Sequence, residues 1–140
     1  MKATPSKLIT IGRHVRVSFP DLGFSHVDAK VDTGAFRTVL HCERCEEIIT
    51  DTGSVLEADF NLNGTEVKRI RFANYFSKEF KSSFGEKEKR FCVKTTIQIG
   101  RKKIRSSVSL TDRSDMKFQV LIGRKTLLRK FVVDVSRKFA

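Results

Sequence analysis

Asp32 is the residue in this 140-residue chain whose type and position most clearly suggest chemistry. It directly follows residues 27–31, in which apolar and polar side chains alternate as in a half-buried strand. Thr33 and Gly34 come next, and a glycine at this place permits a tight turn. A carboxylate held in such a turn is suited to general acid–base work on a substrate. The same tripeptide begins at Asp51, but there it follows a charged stretch and predicts an ordinary hairpin turn.

A second charged group lies nearer the C-terminus, in the run Thr-Asp-Arg-Ser-Asp-Met that contains Asp112, Arg113 and Asp115. One interpretation is a charged loop near the site that orients the substrate or a dimer partner. The other is a turn in which the Asp and Ser side chains cap backbone groups while the Arg side chain is solvated. Both interpretations stay open, because the sequence alone does not place this run relative to Asp32.

His41, Cys42 and Cys45 carry side chains that bind zinc, but the pattern is incomplete. A tetrahedral structural zinc site needs four ligands, usually as two spaced pairs, and the second pair is missing here. The sequence also has no His-Glu-x-x-His motif and no phosphate-binding Gly-x-x-x-x-Gly-Lys-Ser/Thr motif. We therefore predict no metal and no other cofactor, with Cys42 and Cys92 as small residues of the core.

The elements that must position these residues are mostly strands. Short alternating or apolar runs are separated by turn residues, and Asn63-Gly64 is a strong hairpin signal. A short helix is predicted over residues 125–130. Such spacing favours an all-β fold, a closed or partly closed barrel in one domain over residues 1–140, with 1–7 flexible. The predicted strands are 8–11, 15–19, 27–31, 38–40, 55–62, 67–72, 91–99, 103–110, 118–122 and 131–135.

Residues 74–90 interrupt the strand pattern with a polar and charged stretch, which we predict to be a long basic loop. Phenylalanines interleave with lysines there, an arrangement that also occurs where nucleic-acid bases stack on aromatic rings. Phe72, Phe76, Phe80 and Phe84 recur every four residues, so they would equally line one face of a helix. We favour packing in the core or at a dimer interface as the role of these rings.

The chain is strongly basic, and its charge is unevenly distributed. The formal net charge is +12, with 7 basic and 9 acidic residues in 1–65 but 21 basic and 7 acidic residues in 66–140. This asymmetry favours an acidic partner or a nucleic acid, or else a well-solvated surface. No apolar run approaches the ~20 residues of a membrane-spanning helix. Since the first residues lack a signal-peptide pattern and three cysteines cannot all pair, we expect a cytoplasmic protein with no membrane partner.

Two motifs resemble those of retropepsin-type aspartic proteases. They are Lys-Val-Asp-Thr-Gly-Ala at residues 30–35 and Leu-Ile-Gly-Arg at residues 121–124. Together with the Thr-Asp-Arg-Ser-Asp-Met run, they resemble more closely a bacterial, RimB-like branch that is labelled as ATP-dependent zinc proteases and is associated with RimK-type glutamate ligases. The resemblance extends over about residues 11–135. It implies a retropepsin-like closed barrel with one short C-terminal helix.

The resemblance also implies a homodimer in which each chain supplies one catalytic acid, Asp32. Thr33 and Gly34 would belong to the same catalytic loop. Two close carboxylates share one proton, so the ionised member activates a water molecule while the protonated member polarises the scissile carbonyl. The residues implied to support this loop are Ala35, Ile122, Gly123 and Arg124.

The sequence departs from retropepsins directly after Ala35. Phe36 and Arg37 stand where the viral enzymes carry a polar and then an acidic residue that binds the substrate backbone. The flap that covers the substrate is either the Asn63-Gly64 hairpin or the loop over 74–90. The candidates for substrate or interface contacts are Arg37, Asp112, Arg113 and Asp115.

The function that we favour is hydrolysis of peptide bonds by a homodimeric aspartic endopeptidase. The basic half of the chain and the family association indicate an acidic or glutamate-rich peptide as substrate. The alternative is a non-catalytic binding module of the same fold, which holds a nucleic acid or an acidic protein through residues 66–140. Asp32 separates the two hypotheses, because only the first of them needs its carboxylate.

Overall fold

Twelve strands and one short helix are present in a computed structural model that describes residues 7–64, 66–81 and 84–139. The all-β prediction with one short C-terminal helix is confirmed. The elements are β1 (Ile9–Ile11), β2 (His14–Phe19), β3 (Phe24–Val31), β4 (Thr38–His41), β5 (Arg44–Thr50), β6 (Gly53–Phe60), β7 (Lys68–Phe72), β8 (Phe76–Lys81), β9 (Lys87–Ile99), β10 (Lys102–Thr111), β11 (Val120–Ile122), α1 (Arg124–Leu127) and β12 (Phe131–Val133).

Six strands close into a barrel in the order β10-β4-β11-β3-β2-β9, and β9 pairs back to β10. Successive side chains of the barrel strands point alternately to the interior and to solvent. In β2, Val15, Val17 and Phe19 are buried while Arg16 faces solvent. The buried side chains of the six strands fill the interior, as in other small barrels. The predicted closed barrel is therefore confirmed.

Strands β5, β6 and β7 form a separate antiparallel sheet. The sequence analysis leaves β5 outside the strands, because its charges hide the pattern. Charged side chains are paired across this sheet. Arg44 of β5 donates from Nη1 to Glu57 Oε1 of β6 at 2.8 Å, and Arg69 of β7 donates from Nε to Asp59 Oδ1 of β6 at 2.8 Å. The hydrogen bonds from arginine lower the pKa of both carboxyls. The turn at Asp51 joins β5 to β6, as predicted.

The connection between β6 and β7 is longer than the predicted connection over residues 63–66. The two strands do pair as an antiparallel hairpin, but β6 ends at Phe60 and β7 begins only at Lys68. The Asn61 side chain accepts a hydrogen bond from the backbone N–H of Gly64 at 2.9 Å, which closes a wider turn.

The predicted basic loop over 74–90 is wrong for most of its length, and so is the alternative helix. Residues 76–81 form β8, which pairs antiparallel with the start of β9. Cations lie over rings within this hairpin: the Arg90 guanidinium is 4.6 Å from the Phe80 ring centroid, and Lys89 Nζ is 5.0 Å from that of Phe91. These pairs let a polar sequence pack as strands. Residues 82 and 83 of the predicted loop, and 1–6 of the predicted flexible terminus, lie outside the described residues.

The ends of the fold meet beside the barrel, where β1 pairs in parallel with β12. Helix α1 ends at Leu127, three residues before the predicted end, because the backbone of Leu128 is extended and that of Arg129 is left-handed, with φ of 63°. Within the described residues, no helix has the length and apolar character needed to cross a membrane.

Candidate active site

Asp32 follows the last residue of β3, at a turn where the chain leaves the barrel wall. Its backbone N–H donates to the carbonyl oxygen of Ile122 at 2.9 Å, which continues the parallel pairing of β3 with β11. One carboxylate oxygen accepts a hydrogen bond from the N–H of Gly34 at 3.0 Å. The other has no hydrogen-bond partner among the described residues. The half-buried carboxylate is thus fixed at one oxygen and available at the other.

The loop after β11 is bonded directly to the Asp32 loop. The Arg124 backbone N–H donates to the carbonyl oxygen of Ala35 at 2.8 Å, and the Arg124 guanidinium donates to that of Thr33 at 2.9 Å. A side chain on Gly123 would not fit, since a Cβ atom there would lie 2.5 Å from the Arg37 carbonyl carbon. The structure therefore brings together the residues predicted for the catalytic loop and its support, whose catalytic roles stay predictions.

A buried hydroxyl network that the sequence analysis missed holds the Gly123 loop in place. Thr38 Oγ1 accepts the N–H of Gly123 at 3.0 Å and lies 2.7 Å from Thr126 Oγ1. Thr126 Oγ1 in turn lies 3.3 Å from Ser106 Oγ. Thr38 and Thr126 are fully buried, so the network satisfies polar groups that water cannot reach. The signal in the sequence was a lone threonine at the start of the apolar segment 38–40.

Arg113 lies close enough to Asp32 for their charges to interact. Burial lowers the pKa of Arg113, the nearby Arg90 lowers it further, and Asp32 acts in the opposite direction. The Arg113 backbone N–H donates to Nδ1 of buried His41 at 2.8 Å, and its guanidinium donates to the Phe118 carbonyl at 3.0 Å. Arg113 thus bonds to His41 and Phe118, and it acts on Asp32 through its charge rather than through a hydrogen bond.

The rest of the Asp112–Asp115 run matches the turn interpretation. Asp112 Oδ1 accepts the backbone N–H of Ser114 at 2.8 Å and also the Ser114 hydroxyl. These hydrogen bonds lower the pKa of the Asp112 carboxyl. Asp115 is exposed and makes no side-chain hydrogen bond or ion pair within the described residues, so nothing in its surroundings ties it to Asp32.

The side chains at 41, 42 and 45 do not fit a zinc ion. His41 Nδ1 is occupied by the hydrogen bond from Arg113, and the free thiols of Cys42 and Cys45 interact by a hydrogen bond that shifts the pKa of each. That bond and burial raise the pKa of Cys42, which opposes the thiolate that zinc requires. Among the described residues, no three His, Cys, Asp or Glu side chains group to hold a metal. Cys42 and Cys92 are buried, as predicted.

The β8–β9 hairpin borders the same site. The Arg37 guanidinium lies 5.4 Å from the ring centroid of Phe76 in β8. Thr111, just before the Asp112 turn, donates its hydroxyl to Glu88 of β9 at 3.2 Å. The β8–β9 hairpin thus has contacts with Arg37, which follows the Asp32 loop, and with Thr111, which precedes the Asp112 turn.

The family model for RimB-like proteins, described as the retropepsin-like aspartic endopeptidase RimB, matches residues 10–140. The chain belongs to this family. The resemblance drawn from residues 30–35 and 121–124 is therefore confirmed, and the RimB-like model covers the Asp32 loop, the Gly123 loop and the β8–β9 hairpin alike.

Curated relatives of this RimB-like chain are longer proteins named probable alpha-L-glutamate ligase. One from Shewanella pealeana is 30% identical over 134 residues, which are 92% of this chain and 29% of the relative. One from Desulfotalea psychrophila is 25% identical over 133 residues, which are 93% of this chain and 29% of the relative. The chain therefore spans less than a third of the length of these relatives.

A crystal structure of a DUF785 protein of unknown function from Legionella pneumophila has the same fold. The TM-score is 0.77 at 24% identity, with 96% of this chain and 98% of that chain covered. The RimB-like barrel is thus present in a solved protein over nearly its whole length.

Proposed function

We propose that the chain is an aspartic endopeptidase that works as a homodimer, with Asp32 of each protomer as half of the catalytic centre. The position of Asp32 carries this proposal: the carboxylate is half-buried in a loop bonded to Ile122, and one of its oxygens is available. Membership in a family described as an aspartic endopeptidase supports it. The chain would form a single retropepsin-like domain over residues 1–140.

The chemistry follows from the electrostatics of two close carboxylates. They cannot both ionise cheaply, so the pair holds one proton between them and titrates as a unit. The ionised Asp32 takes a proton from a water molecule, which attacks the carbonyl carbon of the scissile peptide bond. The protonated Asp32 of the partner donates a hydrogen bond to the carbonyl oxygen, where negative charge develops.

A homodimer supplies the second carboxylate, because one chain contains one such loop. A two-fold axis beside Asp32 would bring the two loops together automatically. The surface there suits a contact between chains: Thr33 and Gly34 are exposed, and Phe36 presents a large apolar ring of which 53% is exposed.

Acidic, glutamate-containing peptides are the substrates that we propose. The basic half, 66–140, contributes the β8–β9 hairpin next to the site, and we assign the flap to this hairpin. The curated relatives are named probable alpha-L-glutamate ligases, and we propose a glutamate-containing substrate for the region that they share with this chain.

Dilution tests the homodimer and the activity together. If each active site needs two chains, the cleavage rate per chain should fall when the protein is diluted below its dimer dissociation constant. The measurement is hydrolysis of an acidic peptide over a 1,000-fold range of protein concentration, beside sedimentation velocity at the same concentrations. A constant rate per chain while the sedimentation coefficient drops to that of the monomer would contradict the proposal.

The alternative function, a binding module for nucleic acid, is favoured only by the basic and aromatic residues of the β8–β9 hairpin. In the structure, Phe80 and Phe91 are already covered by Arg90 and Lys89, which makes them poorer platforms for bases.

The salt dependence of substrate binding distinguishes the two functions. We expect the KM for an acidic peptide to rise several-fold between 50 and 200 mM salt, with weak binding of single-stranded RNA in filter titrations. A salt-independent KM would remove the acidic substrate from the proposal, and tight RNA binding without hydrolysis would support the alternative.

A further inference from the structure

Two cationic side chains converge on one hydroxyl between the Asp32 loop and strand β10. Arg37 Nε donates to Ser107 Oγ at 3.0 Å, and Lys125 Nζ donates to the same oxygen at 2.8 Å. Ser107 is buried, so this oxygen fixes both cations side by side. Within the described residues, neither cation has a carboxylate within the 4.0 Å that defines an ion pair. Two adjacent positive charges are thus left uncompensated.

Further lysines increase this positive charge. The pKa of Lys125 is lowered, first by burial and then by the neighbouring charges of Arg37, Lys94 and Lys78. Like charges held this close repel one another, and an anion bound between them relieves that repulsion. The two cations would therefore be stabilised by an anionic group of a bound molecule.

The Arg37 guanidinium is held in a defined orientation by two aromatic rings. Its central carbon lies 5.5 Å from the ring centroid of Phe36 and 5.4 Å from that of Phe76. Because only Nε bonds to Ser107, the two terminal nitrogens have no hydrogen-bond partner among the described residues. A guanidinium edge of this kind matches the two oxygens of a carboxylate.

The cation pair belongs to the same two loops that hold Asp32. Arg37 ends the Asp32 loop just before β4, and the Lys125 backbone N–H donates to the Phe36 carbonyl at 2.8 Å. The Arg37 backbone lies against Gly123, where no Cβ atom fits. A group bound by Arg37 and Lys125 is therefore held by the two loops that also contain Asp32 and its partner Ile122.

We propose that Arg37 and Lys125, assembled on Ser107, form a subsite that binds a side-chain carboxylate of the peptide being cleaved. The inference rests on the proposed peptidase function and names the residues that select its substrate. Arg37 and Lys125 are specificity residues here, because they bind the substrate away from the peptide bond that reacts.

The test compares two peptides that differ only in glutamate against glutamine, both acetylated and amidated so that only side chains carry charge. The wild type should show a higher kcat/KM for the glutamate peptide. Arg37→Gln and Lys125→Gln should each lower the ratio of the two kcat/KM values by about tenfold or more, since each removes a charged hydrogen bond. Arg101→Gln, which removes an equal charge from the exposed β9–β10 turn, should leave both values unchanged.

A measurement of peptide binding distinguishes failure of the subsite from failure of the peptidase function. Fluorescence anisotropy measures the affinity of the two labelled peptides for the Asp32→Asn protein with and without Arg37→Gln or Lys125→Gln, after circular dichroism has shown each variant folded. Tenfold weaker binding of the glutamate peptide alone supports the subsite even if the wild type cleaves nothing, in which case only the peptidase function fails. Equal affinities in all variants, or cleavage with an unchanged glutamate-to-glutamine ratio, would overturn the subsite.

Discussion

Asp32→Asn should lower kcat/KM on a cleaved peptide by about 10³-fold or more. Asparagine keeps the side-chain oxygen that accepts the Gly34 N–H, so the turn should survive. Its amide is neither acidic nor basic at neutral pH and carries no negative charge, so it neither activates water nor completes the carboxylate pair. The measurement is steady-state hydrolysis of an acidic peptide by the wild type and the variant at equal dimer concentration.

The chain offers a matched control for this substitution in its second Asp-Thr-Gly tripeptide. Asp51 is exposed in the turn between β5 and β6, so Asp51→Asn should leave kcat/KM unchanged. Sedimentation velocity should show Asp32→Asn to be as dimeric as the wild type. Retention of most of the activity by Asp32→Asn would falsify the catalytic assignment.

Thr38→Val should reduce the free energy of unfolding by about 1–3 kcal/mol and lower kcat/KM as well. Valine has nearly the shape of threonine but leaves the buried N–H of Gly123 without its acceptor at 3.0 Å. Because Gly123 packs against the Arg37 backbone, a shift of this loop also displaces the segment that follows Asp32. Urea denaturation gives the stability, and peptide hydrolysis under fully folded conditions gives the activity.

Thr126→Val is the matched control for the network. It removes the hydroxyl at 2.7 Å from Thr38 but keeps the bond from Gly123 to Thr38 Oγ1. We expect a smaller loss of stability and little change in kcat/KM. If Thr126→Val proved as damaging to activity as Thr38→Val, the role given to the Gly123 N–H would be wrong.

The barrel and the Asp32 loop were predictable because local patterns describe them. Alternating side chains in 15–19 predicted β2 to within one residue, those in 27–31 predicted β3 with its end correct and its start three residues late, and the small residues after Asp32 marked the turn. The segment 118–122 was predicted as a strand and contains β11, but the parallel pairing of β11 beside β3 came only from the structure. A parallel neighbour leaves no turn signal in the sequence.

The missed features depend on partners that are distant along the chain. β5 and β8 carry charges in strand positions, and these charges are paired across the strands by arginine–carboxylate or cation–ring contacts. The meeting of Arg37 and Lys125 on Ser107 joins three elements, so no local spacing indicates it. The Asp112 run was left with two interpretations, and its members divide between them: Asp112 makes the turn, while the charge of Arg113 interacts with that of Asp32.

The pairing of β4 has a consequence for how the chain folds. β4 lies between β10 and β11, and Asp32 bonds to Ile122, so the loop around Asp32 cannot take its final shape until residues near 122 have been made. Contacts between such distant residues slow folding and form late. A nascent chain that has been synthesised only as far as β10 therefore lacks the β11 partner to which the Asp32 backbone bonds.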